Sequence, residues 1–435
     1  MFELSYGVIA LVTFAAIIIL ILARIPIAMV FFTVGVFGFT FLLPKPMLNQ
    51  LGPSIWRMLD SFPLTAVVPF VLMGEFMLQG GMSKELYNAL EKWIKRLPGG
   101  LSQVNVVACA IFAAISGSSV STAATMGVIA GPEMESRGYD NRLTYGTLAA
   151  GGTLGILIPP SITLIIYGAL TSTSIGQLFI AGIIPGIIVS VLFMVVTSIW
   201  VAYSPKIAPR IEDRISWKDR FMAIRDFLPV GVLILTVLGG IYGGIVTPTE
   251  AASIGAVMAF ILLVIKGRLS RELIKKSLRS TILISSMSYM ILAGSSLINF
   301  LFAYTQVPLM ISQFVAGLNV PSAFVLFLVC IMYLILGMFI DAISMVVLTV
   351  SAIVPLLTSL GYDPVWIGII IIILAELALI TPPVGINLYI LLGVSKSASF
   401  GEICMGVIPY AGVLLFMLVL LTLFPQLALW LPASM

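Results

Sequence analysis

Of the 435 residues, 60% are hydrophobic and only 9% are charged, with 22 Lys/Arg, 18 Asp/Glu and no histidine. Soluble domains carry about 25% charged residues, so this chain has too little polar surface to cover its apolar atoms in water. A mean hydropathy of +1.17 agrees, and the expectation is an all-α polytopic membrane protein embedded in a lipid bilayer. A transmembrane β-barrel is excluded because its strands would show short alternating segments. The missing histidine removes the usual Zn, haem and imidazole-base chemistries. The net charge of +4 marks loop topology and implies no nucleic acid.

The first apolar run, Leu4–Ala23, has Glu3 before it and Arg24 after it. That order is the reverse of a signal peptide, so the run reads as a retained first helix with its N-terminus outside. Spans over about 27–43 and 62–80 follow. Ser83 reads as the N-cap of an amphipathic interfacial helix ending at Leu97, with Glu85 in its first turn.

Residues 101–136 differ in kind. Two arms of about 15 residues flank the tip Ser116-Gly117-Ser118-Ser119-Val120-Ser121-Thr122. A full crossing needs roughly 20 residues, so the segment reads as a re-entrant hairpin. From 142 to 173 a further span is interrupted by Gly151-Gly152-Thr153-Leu154-Gly155 and Pro159-Pro160-Ser161. A Pro-Pro pair cannot continue a regular helix, so this is a broken helix. A span at 177–203 completes the segment 1–204.

Basic belts at 205–226 (Lys206, Arg210, Arg214, Lys218, Arg220, Arg225) and 266–279 (Lys266, Arg268, Arg271, Lys275, Lys276, Arg279) bracket two spans. Both therefore lie on one side, the cytoplasmic one. Residues 227–435 then replay the first segment. At a shift of 223, Pro132, Ser136 and Gly138-Tyr139-Asp140 meet Pro355, Ser359 and Gly361-Tyr362-Asp363, and Pro159-Pro160 meets Pro382-Pro383. Five crossings between the two Gly-Tyr-Asp strings make the copies inverted. Inverted repeats with broken helices are an architecture of secondary transporters. The second copy carries a hairpin over about 322–359 and a broken helix over about 364–395.

Oxygens gather where the backbone breaks. Candidate Na+ ligands are Ser116, Gly117, Ser118, Ser121, Gly152 and Gly155 in the first copy. In the second they are Gly337, Asp341, Thr381 and Gly385. The expectation is that each tip faces its own break. Asp341 stands opposite Ser118 and is the charged ligand. No Lys or Arg falls in either tip or break. An anionic substrate would then be held by hydroxyls, by Asn387 and by helix N-termini. Ser119, Thr153, Pro160, Ser161, Asn387 and Glu376 are the candidate substrate contacts. Glu376 reads equally as a ligand or as a protonated carboxyl bonded to a carbonyl. Glu75 reads as scaffold. Cys109, Cys330 and Cys404 suggest no disulfide framework. There is no HExxH and no paired Asp-rich motif, so no enzyme is expected.

Ser116-Gly117-Ser118-Ser119, the string Gly151–Ser161 and Thr381-Pro382-Pro383-Val384-Gly385-Ile386-Asn387 together resemble the large membrane subunit of the tripartite ATP-independent periplasmic (TRAP) transporters, of the ion transporter superfamily. The resemblance covers essentially the whole chain. It implies an elevator mechanism, Na+-driven uptake of a small organic carboxylate or sulfonate across the bacterial inner membrane, a small four-helix membrane subunit and a periplasmic substrate-binding protein. The chain opens on the large subunit's first helix, so the small subunit is expected as a separate chain. The alternative is a dicarboxylate or citrate transporter, coupled to Na+ or H+, that works without a binding protein.

Overall fold

The computed structural model describes residues 6–23, 25–209, 216–317 and 320–434. Glu3, Arg24, Arg210 and Arg214 lie outside them. Every regular element described is helical, and seven helices are long and apolar enough to cross a membrane. Cys109, Cys330 and Cys404 are free thiols.

The two copies match element by element. Spans Tyr6–Leu22 and Ile27–Phe37 correspond to Trp217–Tyr242 and Pro248–Ile265. Val67–Gln79, with the preceding turns, corresponds to the single long helix Arg271–Tyr304. A short arm helix follows in each copy, Met82–Ile94 and Val307–Gly317. Hairpin 1 is Leu101–Ser116 and Ser119–Ser136; hairpin 2 is Ser322–Gly337 and Ala342–Ser359. Broken span 1 runs from Asn141–Thr153 to Ile162–Thr171, and broken span 2 from Pro364–Leu379 to Ile386–Val394. Ile175–Tyr203 and Phe400–Leu423 close the copies. Broken span 1, Ile175–Tyr203, Trp217–Tyr242, Pro248–Ile265 and Arg271–Tyr304 separate the two Gly-Tyr-Asp strings. That odd count inverts the second copy.

The copies are interlocked. The second arm of hairpin 1 packs on Ile386–Val394 of the other copy, and the second arm of hairpin 2 packs on Ile162–Thr171. Asn141–Thr153 packs on Phe400–Leu423. There a Cβ on Gly146 would run into the Gly406 carbonyl oxygen. Lipid offers apolar side chains no worse a home than protein does, so close backbone approach through small residues carries much of helix association.

Polar cross-links act where sequence patterning shows nothing. Asn105, fully buried in hairpin 1, accepts from Tyr87 Oη of the first arm helix at 3.1 Å and donates to Thr147 Oγ1 of broken span 1 at 3.0 Å. Losing either partner would strand a buried amide, at about 1–3 kcal/mol. Glu75, expected as scaffold, accepts from Ser280 Oγ of the long helix at 2.7 Å.

The first arm begins at Gly81, whose φ of +72° is left-handed, and not at Ser83, which lies inside the helix. The cap falls to glycine because the chain must reverse between the span and the arm, and a left-handed residue does this without Cβ strain. The second arm begins just after Gln306, at φ +53°. Glu85 of the first arm pairs with Lys266 and Arg268, and Arg268 also donates to the Gly80 carbonyl at 2.7 Å. Burial pushes the Glu85 carboxyl up, but the hydrogen bonds and charges of Lys266 and Arg268 outweigh it and hold it below the usual range.

Ser136 and Ser359 are repeat partners, both exposed at the ends of their hairpins. With the three native cysteines replaced, a membrane-impermeant maleimide added outside should label Ser359→Cys. It should reach Ser136→Cys only after permeabilisation. Equal labelling of both from outside would refute the inversion.

Candidate functional site

Tip 1 is a two-residue link, Gly117-Ser118, between the arms of hairpin 1. Gly117 turns the chain at φ +59°, and a Cβ there would lie 2.8 Å from the Pro160 carbonyl oxygen. The Gly117 carbonyl accepts from Ile162 N at 3.2 Å, so the tip satisfies a backbone donor that break 1 releases. Gly155 sits beneath the tip: its Cβ would stand 2.6 Å from the Ser118 carbonyl oxygen. A Cβ on Gly152 would meet Ala123 at 2.8 Å. The glycines at 152 and 155 are thus required by close packing of break on hairpin. The expectation that tip 1 faces its own break matches this arrangement.

The tip hydroxyls converge. Ser116 Oγ and Thr122 Oγ1 lie 2.8 Å apart, and Thr122 Oγ1 donates to the Ser118 carbonyl at 2.8 Å. Ser118 caps the second arm through Ser121 N at 3.4 Å. Ser121 contributes this backbone donor, and Ser119 is buried beside it. In break 1, Ser161 Oγ donates to the Ile156 carbonyl at 2.6 Å and caps Ile162–Thr171 through Leu164 N at 3.3 Å. Thr153 is buried with its hydroxyl on the Ala150 carbonyl at 2.7 Å. Pro160 is buried under tip 1.

Tip 2 is longer, Met338 to Asp341. Gly337 presses on Ala378, just ahead of break 2. Asp341 caps Ala342–Ser359 as Ser118 caps its counterpart, accepting from Ser344 N at 3.2 Å and Ser344 Oγ at 2.5 Å. It has no cationic partner within salt-bridge distance among the described residues. Thr381 Oγ1 donates to the Leu377 carbonyl at 2.6 Å, and Gly385 turns the chain at φ +50°. Pro382 and Pro383 are exposed, whereas Pro159 and Pro160 are buried. Break 1 is therefore closed under its tip and break 2 is partly open.

A small cavity of about 80 Å³ joins the copies. Gly117, Ser118, Ser119, Ile162 and Thr163 line it from the first copy, and Asp341, Ala342 and Leu379 from the second; Ile284 of the long helix closes one side. The N-termini of three helices thus meet at one point, with one carboxylate among them. Two further buried side chains carry acceptor oxygens with no partner among the described residues. Both Glu376 oxygens and Asn387 Oδ1 make no hydrogen bond, while Asn387 Nδ2 donates to the Ala149 carbonyl at 3.2 Å. The reading of Glu376 as a carboxyl bonded to a carbonyl is not what the structure shows.

This architecture has relatives. The family model described as "Tripartite ATP-independent periplasmic transporter, DctM component" matches residues 14–427. The chain belongs to this family. It is 32% identical to a C4-dicarboxylate TRAP transporter large permease protein of Rhodobacter capsulatus, over 97% of this chain and 98% of that one. It is 31% identical to the ectoine TRAP transporter large permease protein of Halomonas elongata, over 96% and 97%. It is 32% identical to an isethionate TRAP transporter permease protein named DctMQ from Oleidesulfovibrio alaskensis, over 88% of this chain and 60% of that longer one. Among solved structures, the YdaH transporter of Alcanivorax borkumensis shares the fold. The TM-score is 0.63 at 14% identity, over 90% and 89% of the two chains. As a DctM-component protein the chain is a multi-pass transport protein of the bacterial inner membrane.

The glycine contacts make a graded prediction. Gly155→Ala drives a methyl into backbone, and overpacking of this kind costs about 1–3 kcal/mol. Gly393→Ala meets nothing within 4 Å. Detergent melting should fall for Gly155→Ala and stay at the wild-type value for Gly393→Ala. Equal melting would mean that tip 1 does not rest on break 1.

Proposed function

We propose that this chain is the transport subunit of a binding-protein-dependent TRAP system that couples inward Na+ movement to uptake of a small organic anion. The observation that carries the proposal is the meeting of both tips at one cavity, with the Asp341 carboxylate among helix N-termini. A cation gains there from Asp341 and from the Ser118 carbonyl cluster. The anionic end of a substrate gains from the N–H groups at the starts of Ser119–Ser136 and Ile162–Thr171. Among the described residues no group of three Cys, Asp or Glu could hold a metal, which favours a weakly held monovalent cation over a tightly bound divalent one.

Size argues for motion. Small-molecule sites occupy about 300–1,000 Å³, well above the cavity between the tips. Substrate therefore enters when tip 2 and the open break 2 move apart from tip 1. We take the hairpins, broken spans and closing helices as the moving body and the other long spans as the scaffold, joined by the two arm helices. This is an elevator movement. The unpaired Glu376 and Asn387 oxygens are reserve ligands for substrate or cation in the second copy. Relatives named for C4-dicarboxylates, isethionate and ectoine support a substrate with a carboxylate or sulfonate. The family name supports two partners, a small membrane subunit and a periplasmic binding protein.

Asp341→Asn keeps an acceptor for the Ser344 cap and removes only the charge. In proteoliposomes holding the complete system, it should raise the Na+ concentration for half-maximal uptake several-fold. Ser118→Ala should raise it less, and melting of Asp341→Asn should match wild type. Wild-type Na+ affinity and steepness in Asp341→Asn would remove Asp341 from the site. A second test concerns the partners. The chain reconstituted alone should show no more than background uptake, and adding the small subunit and binding protein should restore it. Full uptake by the lone chain would favour a self-sufficient carrier.

A further inference from the structure

At the cytoplasmic boundary the first arm helix meets the start of scaffold helix Trp217–Tyr242. The guanidinium of Arg220 lies between two tryptophans, 5.1 Å from the Trp217 ring and 5.9 Å from the Trp93 ring. Trp93 is fixed in turn: its Nε1 donates to the Arg220 carbonyl at 3.2 Å, and Phe221 meets its ring edge-on at 6.3 Å. A guanidinium held on two aromatic faces has lost most of its freedom before any ligand arrives.

Among the described residues Arg220 nevertheless has no anion. No carboxylate lies within 4.0 Å of it among the described residues, and its enclosed Nε donor makes no hydrogen bond. Both acids of the arm helix are engaged elsewhere: Glu85 pairs with Lys266 and Arg268, and Glu91 with Arg137 at 3.1 Å and Lys95 at 3.6 Å. The surroundings are those of a membrane interface. Trp217, Phe221 and Met222 are 66%, 62% and 53% exposed, and Lys218 and Arg225 stand exposed on the same two turns. Exposed aromatics beside cations mark the headgroup level of a bilayer, and basic clusters on the cytoplasmic side attract anionic lipid.

We propose that Arg220, framed by Trp93 and Trp217, binds the phosphate of an anionic phospholipid from the cytoplasmic leaflet. The planar guanidinium suits a phosphodiester, which accepts two parallel N–H bonds. The acyl chains lie along the exposed Trp217 and Phe221. Because Trp93 ends the arm next to hairpin 1 and Arg220 begins the scaffold helix, the bound lipid fastens the far end of the arm to the scaffold.

The test uses the full chain in detergent and native mass spectrometry with phosphatidylglycerol, phosphatidylcholine and inorganic phosphate as probes. Wild type should retain phosphatidylglycerol over phosphatidylcholine. Arg220→Gln should weaken that retention about tenfold, the effect of 1.4 kcal/mol. Arg271→Gln, an exposed cation of the other belt, should leave it unchanged. Arg220→Lys keeps the charge but loses the planar fork, and should also weaken retention; it serves as the readout if Arg220→Gln does not fold. Unchanged retention in the Arg220 variants, or an equal loss with Arg271→Gln, overturns the site. Displacement of the lipid by millimolar inorganic phosphate would make it a free-anion site and also overturns the proposal.

Discussion

Breaking a helix inside a bilayer releases backbone donors and acceptors where no water can take them. That constraint shapes the centre of this protein. Break 1 answers it with hairpin 1: the Gly117 carbonyl receives Ile162 N, and Ser161 takes up both the Ile156 carbonyl and Leu164 N. Break 2 answers it locally, through Thr381 Oγ1 on the Leu377 carbonyl and Leu388 N on the Gly385 carbonyl. A hairpin tip is thus a partner for the broken helix before it is a binding element, and its glycines follow from how closely the two backbones must approach.

The same constraint explains why such a centre is suited to holding a ligand. Helix ends are the one place in a membrane where unpaired N–H and C=O groups persist, and a ligand that pairs with them replaces solvent. Four helix starts near the centre are set by Ser118, Ser161, Asp341 and Gly385. Three of these caps are neutral and one is a carboxylate, so the two copies, alike in backbone, differ in charge. Inversion turns that difference into a difference between the two sides of the membrane. The buried Pro159-Pro160 and exposed Pro382-Pro383 show the copies in unlike states within one structure.

Around this centre the copies hold one another. Each hairpin packs on the other copy's second half-helix, so neither copy is an independent domain and a boundary near residue 204 divides the sequence without dividing the core. Polar links such as Asn105–Thr147 and Glu75–Ser280 tie helices whose apolar faces lipid would solvate equally well.

Much of this was legible in the sequence, because its signals are local. Proline pairs break helices wherever they occur, apolar length sets crossings, and recurrence of Gly-Tyr-Asp and Pro-Pro at one shift reveals the repeat. Those rules placed both hairpins, both breaks and the tip residues. Tertiary structure decided what depends on contacts between distant segments. Asp341 and Ser118 are 223 positions apart and share one cavity only because the hairpins meet across the copies. Ser83 lost its capping role to Gly81 because the arm must reverse against the scaffold. Glu376 is embedded by pattern, but that both its oxygens lack partners could be seen only after folding. Arg220 read as one charge in a topology belt, and the two tryptophans that frame it are brought together by packing between the arm and the scaffold helix.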